Sequence, residues 1–193
     1  MEQKKTDFDI AKKIGVIDIE STSMDAQHGL LLCACIKEVH QNDSNGPTTT
    51  ISILDPRNRF GLFDDRWVVR ETIKEANKFD LLLGWYSSRF DFPFLNTRAL
   101  IQGIMPPAKN FRRDLCFNSR ASLKLKNNRL ATVGEAFYGE SGKTFLKWGI
   151  WVKAQQGDKK AIKYIVDHCV ADVAETEKIY KTMMPLFGKL RKR

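Results

Sequence analysis

The 193-residue sequence predicts an α/β fold built on a mixed sheet. Three observations carry that prediction. The first third is rich in β-branched and apolar runs separated by a strong turn signal; a helical pattern then leads into a short, wholly apolar run; and the chain closes on a long amphipathic helix. One domain is expected, because a chain of this length buries a single substantial core and neither an internal repeat nor a Ser/Gly-rich linker interrupts it. Residues 1–8 and 188–193 are expected to be flexible, the latter with four basic residues in six.

Residues 14–20 read as a buried strand and residues 30–39 as a second one. Asn42-Asp43-Ser44-Asn45-Gly46-Pro47 is a turn signal, and the β-branched residues 48–54 form the returning strand, so three antiparallel strands open the fold. Asp64 or Asp65 is placed to cap a helix in which Trp67, Val68, Thr72, Ile73 and Ala76 recur at helical spacing. The run Leu81-Leu82-Leu83-Gly84-Trp85 that follows completes a crossover unit. Residues 94–104 read as a helix after Pro93, residues 110–117 as a short strand or a loop, and residues 130–138 as a helix that stops at Gly139. Between residues 158 and 184, Ile162, Ile165, Val166, Cys169, Val173, Thr176 and Tyr180 line one helical stripe, which Pro185 ends.

Against this apolar framework four acids stand out: Asp18, Glu20, Asp91 and Asp172. A carboxylate on a face that packs a core is costly unless its charge is compensated, and a bound divalent cation compensates it well. Asp18 and Glu20 are two apart on a strand and share a face; an edge strand with one wet face would carry the same pair. His168 and Asp172 are four apart on the last helix. At about 100° per residue, Asp172 falls roughly 60° and His168 roughly 100° to one side of Cys169, at the border of the buried stripe, whereas Asp167 faces water. Asp91 follows the buried run 81–85 by a short loop, at the strand-to-helix mouth where α/β folds place functional groups, and it is equally placed to cap the next helix.

Three Asp and one Glu, with no Cys or paired His at ligand spacing, favour Mg²⁺ or Mn²⁺ over zinc. Two such ions could activate a water and clamp a scissile phosphate, with His168 as the proton acceptor; a hydrogen-bonded histidine at a helix edge is the simpler reading of His168 alone. The net charge of +9, from 32 Lys and Arg against 23 Asp and Glu, suggests a polyanionic partner beside the acids, with a solvated basic surface as the lesser alternative. Cys33, Cys35, Cys116 and Cys169 form no C-x-x-C pair and are expected to be reduced core thiols. With neither a secretory leader nor an apolar run of spanning length, the protein is expected to be intracellular and soluble, without a membrane partner.

The ordered motifs resemble those of the DEDD superfamily of 3′–5′ exonucleases. Val16-Ile17-Asp18-Ile19-Glu20 is similar to the first motif, Gly84-Trp85-Tyr86-Ser87-Ser88-Arg89-Phe90-Asp91-Phe92-Pro93-Phe94-Leu95 to the second, and His168-x-x-x-Asp172 to the third. The second motif, together with Asp114-Leu115 and Ser122-Leu123-Lys124-Leu125, most resembles the proofreading domain of family B DNA polymerases. The resemblance implies an RNase H-like fold with a mixed five-stranded sheet flanked by helices. It also implies that Asp18, Glu20, Asp91 and Asp172 are the metal ligands. Two positions depart from the pattern: His168 stands where the polymerase type has Tyr, and Tyr86 stands where it usually has Asn.

The activity so implied is hydrolysis of single-stranded nucleic acid from a 3′ end, on DNA in preference to RNA, by a nuclease acting alone or with a replication, repair or nucleoprotein partner. Tyr86, Arg89, Phe92 and Lys143 are the candidate substrate contacts, with Phe94 and Lys147 nearby, and basic groups along a backbone with aromatics against bases are what such a strand needs. Trp148 and Trp151 are expected to pack in the core or dock a helix. The alternative of a different class is a non-catalytic nucleic-acid-binding or assembly module on the same fold.

Overall fold

The computed structural model describes residues 7–42, 44–140 and 146–187. Its sheet has five strands in the order β3-β2-β1-β4-β5: β1 (Ile14–Ser21), β2 (Leu31–Val39), β3 (Thr48–Ser52), β4 (Leu81–Gly84) and β5 (Phe111–Asp114). β1, β2 and β3 pair antiparallel, and β4 and β5 add in parallel beyond β1. The mixed sheet is the one expected, and the ambiguous segment at 110–117 resolves into β5 followed directly by a helix. β4 is buried along its whole length, as a parallel strand covered on both faces requires.

Among the described residues six α-helices flank the sheet: α1 (Arg66–Ala76), α2 (Asp91–Ile101), α3 (Leu115–Ser122), α4 (Leu130–Tyr138), α5 (Trp148–Gln155) and α6 (Lys159–Met183). Antiparallel partners point to the same side of a sheet, which sorts the helices. Lys37 of β2 pairs with Glu177 of α6 at 3.4 Å, whereas Thr49, the partner of the adjacent Ile36, bonds Glu75 of α1. α6 and α1 therefore cover opposite faces. α6 is capped by Asp158, whose carboxylate accepts from Lys160 N and Ala161 N. α4 ends on Gly139 in the left-handed conformation, φ 80°, and packs so closely on α6 that a Cβ at Gly134 would fall 1.9 Å from Glu175 Oε1.

Several sequence expectations are corrected. Asp7, within the stretch expected to be flexible, is buried, receives Arg113 Nε and Nη2 at 2.8 and 2.6 Å, and accepts from Tyr180 Oη. An ion pair with a core hydroxyl on it outweighs the terminal position. Residues 1–6 and 188–193 lie outside the described residues. Of the two residues placed to cap α1, Asp64 accepts the Arg66 N–H at 3.0 Å, whereas Asp65 makes no side-chain cap and is buried instead beneath α2, against Arg98 and Gln102. α2 starts at Asp91, three residues earlier than expected, because Pro93 is tolerated in a first turn whose N–H groups have no intrahelical partner. Trp148, the first residue of α5, is 76% exposed, while Trp151 packs on the core as expected. All four cysteines are buried and free, and no helix among the described residues is long and apolar enough to cross a membrane.

Candidate active site

Asp18 and Glu20 lie toward the carboxyl end of β1, Asp91 opens α2 beyond β4, and Asp172 stands on α6. On β1 the burial pattern leaves only Asp18 and Glu20 half-buried among buried neighbours, which confirms the shared face, and the register shifts between Glu20 and Ser21 where the strand leaves the sheet. Asp91, the first residue of α2, is 4% exposed and accepts the Ile19 N–H at 3.0 Å. That bond crosses from α2 to β1; α2 has no side-chain cap, so the cap reading of Asp91 is set aside. Burial, and then the charge of Asp18 beside it, push the Asp91 carboxyl well above its ordinary range. On α6, His168 and Asp172 are both buried. Nε2 of His168 lies 3.8 Å from Glu20 Oε1 and 3.6 Å from Asp172 Oδ2. The thiol of Cys169 donates to Asp18 O at 3.4 Å, tying α6 to β1 between these side chains.

The four acids thus divide into Asp18 with Asp91, and Glu20 with Asp172 about His168. This differs from a single closed cluster: among the described residues no group of three or more His, Cys, Asp or Glu stands ready to hold a metal ion. Like charges packed together repel, and the protein instead gives Asp91 a backbone donor and sets His168 between Glu20 and Asp172. The donor chemistry still suits a hard divalent cation. All four are carboxylates, and Asp18 Oδ2 and Asp172 Oδ1 are buried oxygens. Mg²⁺ in particular takes one or two carboxylates with water and substrate phosphate, and seldom an all-protein cage.

The candidate substrate contacts fare unequally. Tyr86 is exposed and stands at the end of β4, and Arg89 is exposed with its guanidinium 5.9 Å from the Phe117 ring. Phe92 offers no surface: it is 2% exposed, and Arg112 covers its ring at 3.9 Å, because it lies on the core side of the first turn of α2. Phe94 is likewise buried. Lys143 lies outside the described residues; Lys147 is exposed.

Asp114 was not among the predicted site residues, yet it holds the second-motif loop. Its carboxylate accepts from Tyr86 N, Ser88 N and Ser88 Oγ, and also caps α3 through Cys116 N and Phe117 N. An Asp at a strand-to-helix junction was the available signal, hidden while residues 110–117 had no assigned structure. Beside His168 opens a cavity of about 550 Å³, lined among others by Trp85, Tyr86, Arg120, Arg129 and Leu130.

A family model described as the RNase H superfamily matches residues 16–184. A solved family B DNA polymerase from the hyperthermophilic archaeon Pyrobaculum calidifontis superposes with a TM-score of 0.70 at 18% identity, over 90% of this chain and 24% of the polymerase chain. This chain therefore spans about a quarter of that polymerase, and the likeness is one of fold. No curated protein matches the sequence.

Proposed function

The chain belongs to the RNase H superfamily, and from that premise we propose that it is a metal-dependent 3′–5′ exonuclease acting on single-stranded nucleic acid, on DNA in preference to RNA. The observation that carries the reading is the pairing of Asp91 with Asp18, and of Glu20 with Asp172 about His168, with the cavity beside His168. A surface that only bound a polyanion would avoid clustered negative charge.

Asp18, Glu20, Asp91 and Asp172 would hold two Mg²⁺ or Mn²⁺ ions, which when bound supply water activation and stabilisation of the leaving oxygen. His168 lines the cavity and turns Nε2 toward the acids. In this reading Nε2 accepts the proton of the attacking water, the new P–O bond forms as the P–O3′ bond breaks, and a terminal nucleotide leaves with the added oxygen on its phosphate. A strand delivered by a replication, repair or nucleoprotein partner fits the basic surface.

The test is a strand labelled at its 5′ end, as DNA and as RNA, incubated with Mg²⁺, Mn²⁺ or chelator. A ladder shortening from the 3′ end, present with metal and absent with chelator, is the expected result; binding without degradation under every condition would instead favour a non-catalytic binding module. His168→Ala is expected to slow single-turnover cleavage by about 100- to 10,000-fold with Mn²⁺ binding little changed. Unaltered turnover would remove His168 from the chemistry.

A further inference from the structure

We infer that Tyr86, Phe117 and Arg120 form a stacking platform at the mouth of the cavity that grips the base of the 3′-terminal nucleotide. The inference rests on the nuclease reading above and deepens it by naming what holds the strand end.

Tyr86 is the only non-glycine residue with positive φ among the described residues, at 64°. A bulky side chain there is a genuine outlier, and such strain persists only where the surroundings over-determine it. They do so here. Asp114 Oδ1 receives the Tyr86 N–H at 3.1 Å, and the Tyr86 carbonyl accepts from Arg89 N and Phe90 N at 3.0 and 3.2 Å.

The held loop lays the Tyr86 ring on Phe117 of α3, with centroids 5.8 Å apart and planes 28° from parallel. The Arg120 guanidinium lies 5.5 Å from the Tyr86 ring and 5.2 Å from that of Phe117. A ring pair serving only to pack the loop would be covered, yet Tyr86 remains 41% exposed and lines the cavity with Arg120.

The occupant follows from the chemistry. The volume, about 550 Å³, is in the range of small-ligand sites. Residues 115–134 contain no acid and four cations, Arg120, Lys124, Lys126 and Arg129, all exposed, and among the described residues only Lys126 of these four pairs with a carboxylate, that of Glu135 at 3.7 Å. Flat rings flanked by cations suit bases joined by phosphates, and stacking accepts any base.

The experiment uses the full chain in chelator, where cleavage is suppressed, with single strands of DNA and of RNA carrying 2-aminopurine at the 3′ end. Stacking quenches this base. Tyr86→Phe keeps the ring, and Tyr86→Gly removes it while suiting the positive φ, so its melting temperature should be no lower than the parent's.

Parent and Tyr86→Phe are expected to quench the fluorescence, and Tyr86→Gly to lose the quench with about 5- to 150-fold weaker binding. The stronger-binding strand identifies the preferred backbone. If Tyr86→Gly quenches and binds like the parent, or no strand binds, the platform is overturned. Quenching by the parent, lost in Tyr86→Gly, with no cleavage on adding metal would sink the nuclease reading and leave the platform standing; cleavage with an unquenched terminal base would do the reverse.

Discussion

Asp91→Asn is expected to lower metal-dependent cleavage by more than about 100-fold, while the variant melts no lower than the parent in chelator. The activity loss follows from scale: outer-shell partners of metal ligands already contribute about 10- to 100-fold, and Asp91 is proposed as a ligand itself. The stability side follows from the surroundings. Asn retains the oxygen that accepts the Ile19 N–H, but it removes a carboxyl that burial and the Asp18 charge hold well above its ordinary range. Such a group binds its proton more tightly in the folded chain than in the unfolded one, so folding loses stability as pH rises from the unfolded value through the raised folded value. The amide does not titrate. Its advantage should therefore be present at neutral pH and disappear in acid, where the parent's Asp91 is protonated in both states. With Mn²⁺ added the order should reverse, since the parent gains binding energy that the variant lacks. Thermal melts of both proteins across pH, with and without metal, check each part; a variant that cleaves at the parental rate would remove Asp91 from the ligand set.

This opposition between stability and activity is also why the acids were legible in the sequence. Asp18 and Glu20 interrupt an otherwise apolar strand, and Asp172 and His168 depart from a clean helical stripe, so local pattern and local composition disagree at those positions. The strand and helix periods then sufficed to bring Glu20 and Asp172 to His168, and the antiparallel opening followed from a single strong turn. What periodicity could not supply was depth. Phe92 and Tyr86 are both aromatics near Asp91, but one lies on the core side of α2 and the other is forced outward by a positive φ. The loop that carries Tyr86 is held by Asp114, more than twenty positions away, through bonds that no local window contains. The same limit hid Asp65, whose position before a helix suggests a cap and whose actual partners come from β2 and α2. Nor does spacing fix how closely carboxylates approach, which depends on the backbone donor at Ile19 and on His168.

Arg98→Ala is expected to destabilise the fold by about 3–5 kcal/mol, the cost of leaving one member of a buried ion pair alone, and to lower the melting temperature by roughly 6–20 °C for a chain of this size. Asp65 is fully buried, and Arg98 grips it with two parallel bonds, Nε to Oδ2 at 2.9 Å and Nη2 to Oδ1 at 2.7 Å. Gln102 Nε2 and the Leu31 N–H bond the same carboxylate at 2.5 and 2.8 Å, and Arg98 Nη1 reaches Ala26 O at 3.2 Å. Truncating Arg98 strands a charge beneath α2 with only neutral donors left. Arg98→Lys should recover part of the loss, because an ammonium restores the charge but cannot reproduce the fork. Changing Asp65 to Asn in the Arg98→Ala background should recover part as well, by removing the stranded charge while keeping an acceptor for Leu31; no recovery in denaturant titrations would show that packing, and not charge, dominates. The consequence reaches the active site because α2 begins at Asp91. Its position against Ile19 depends on how the rest of the helix is fastened to β2, and Arg98, two turns along, supplies that fastening. Cleavage by Arg98→Ala at temperatures where it stays folded should therefore fall less steeply than in Asp91→Asn, with the deficit growing toward its melting point.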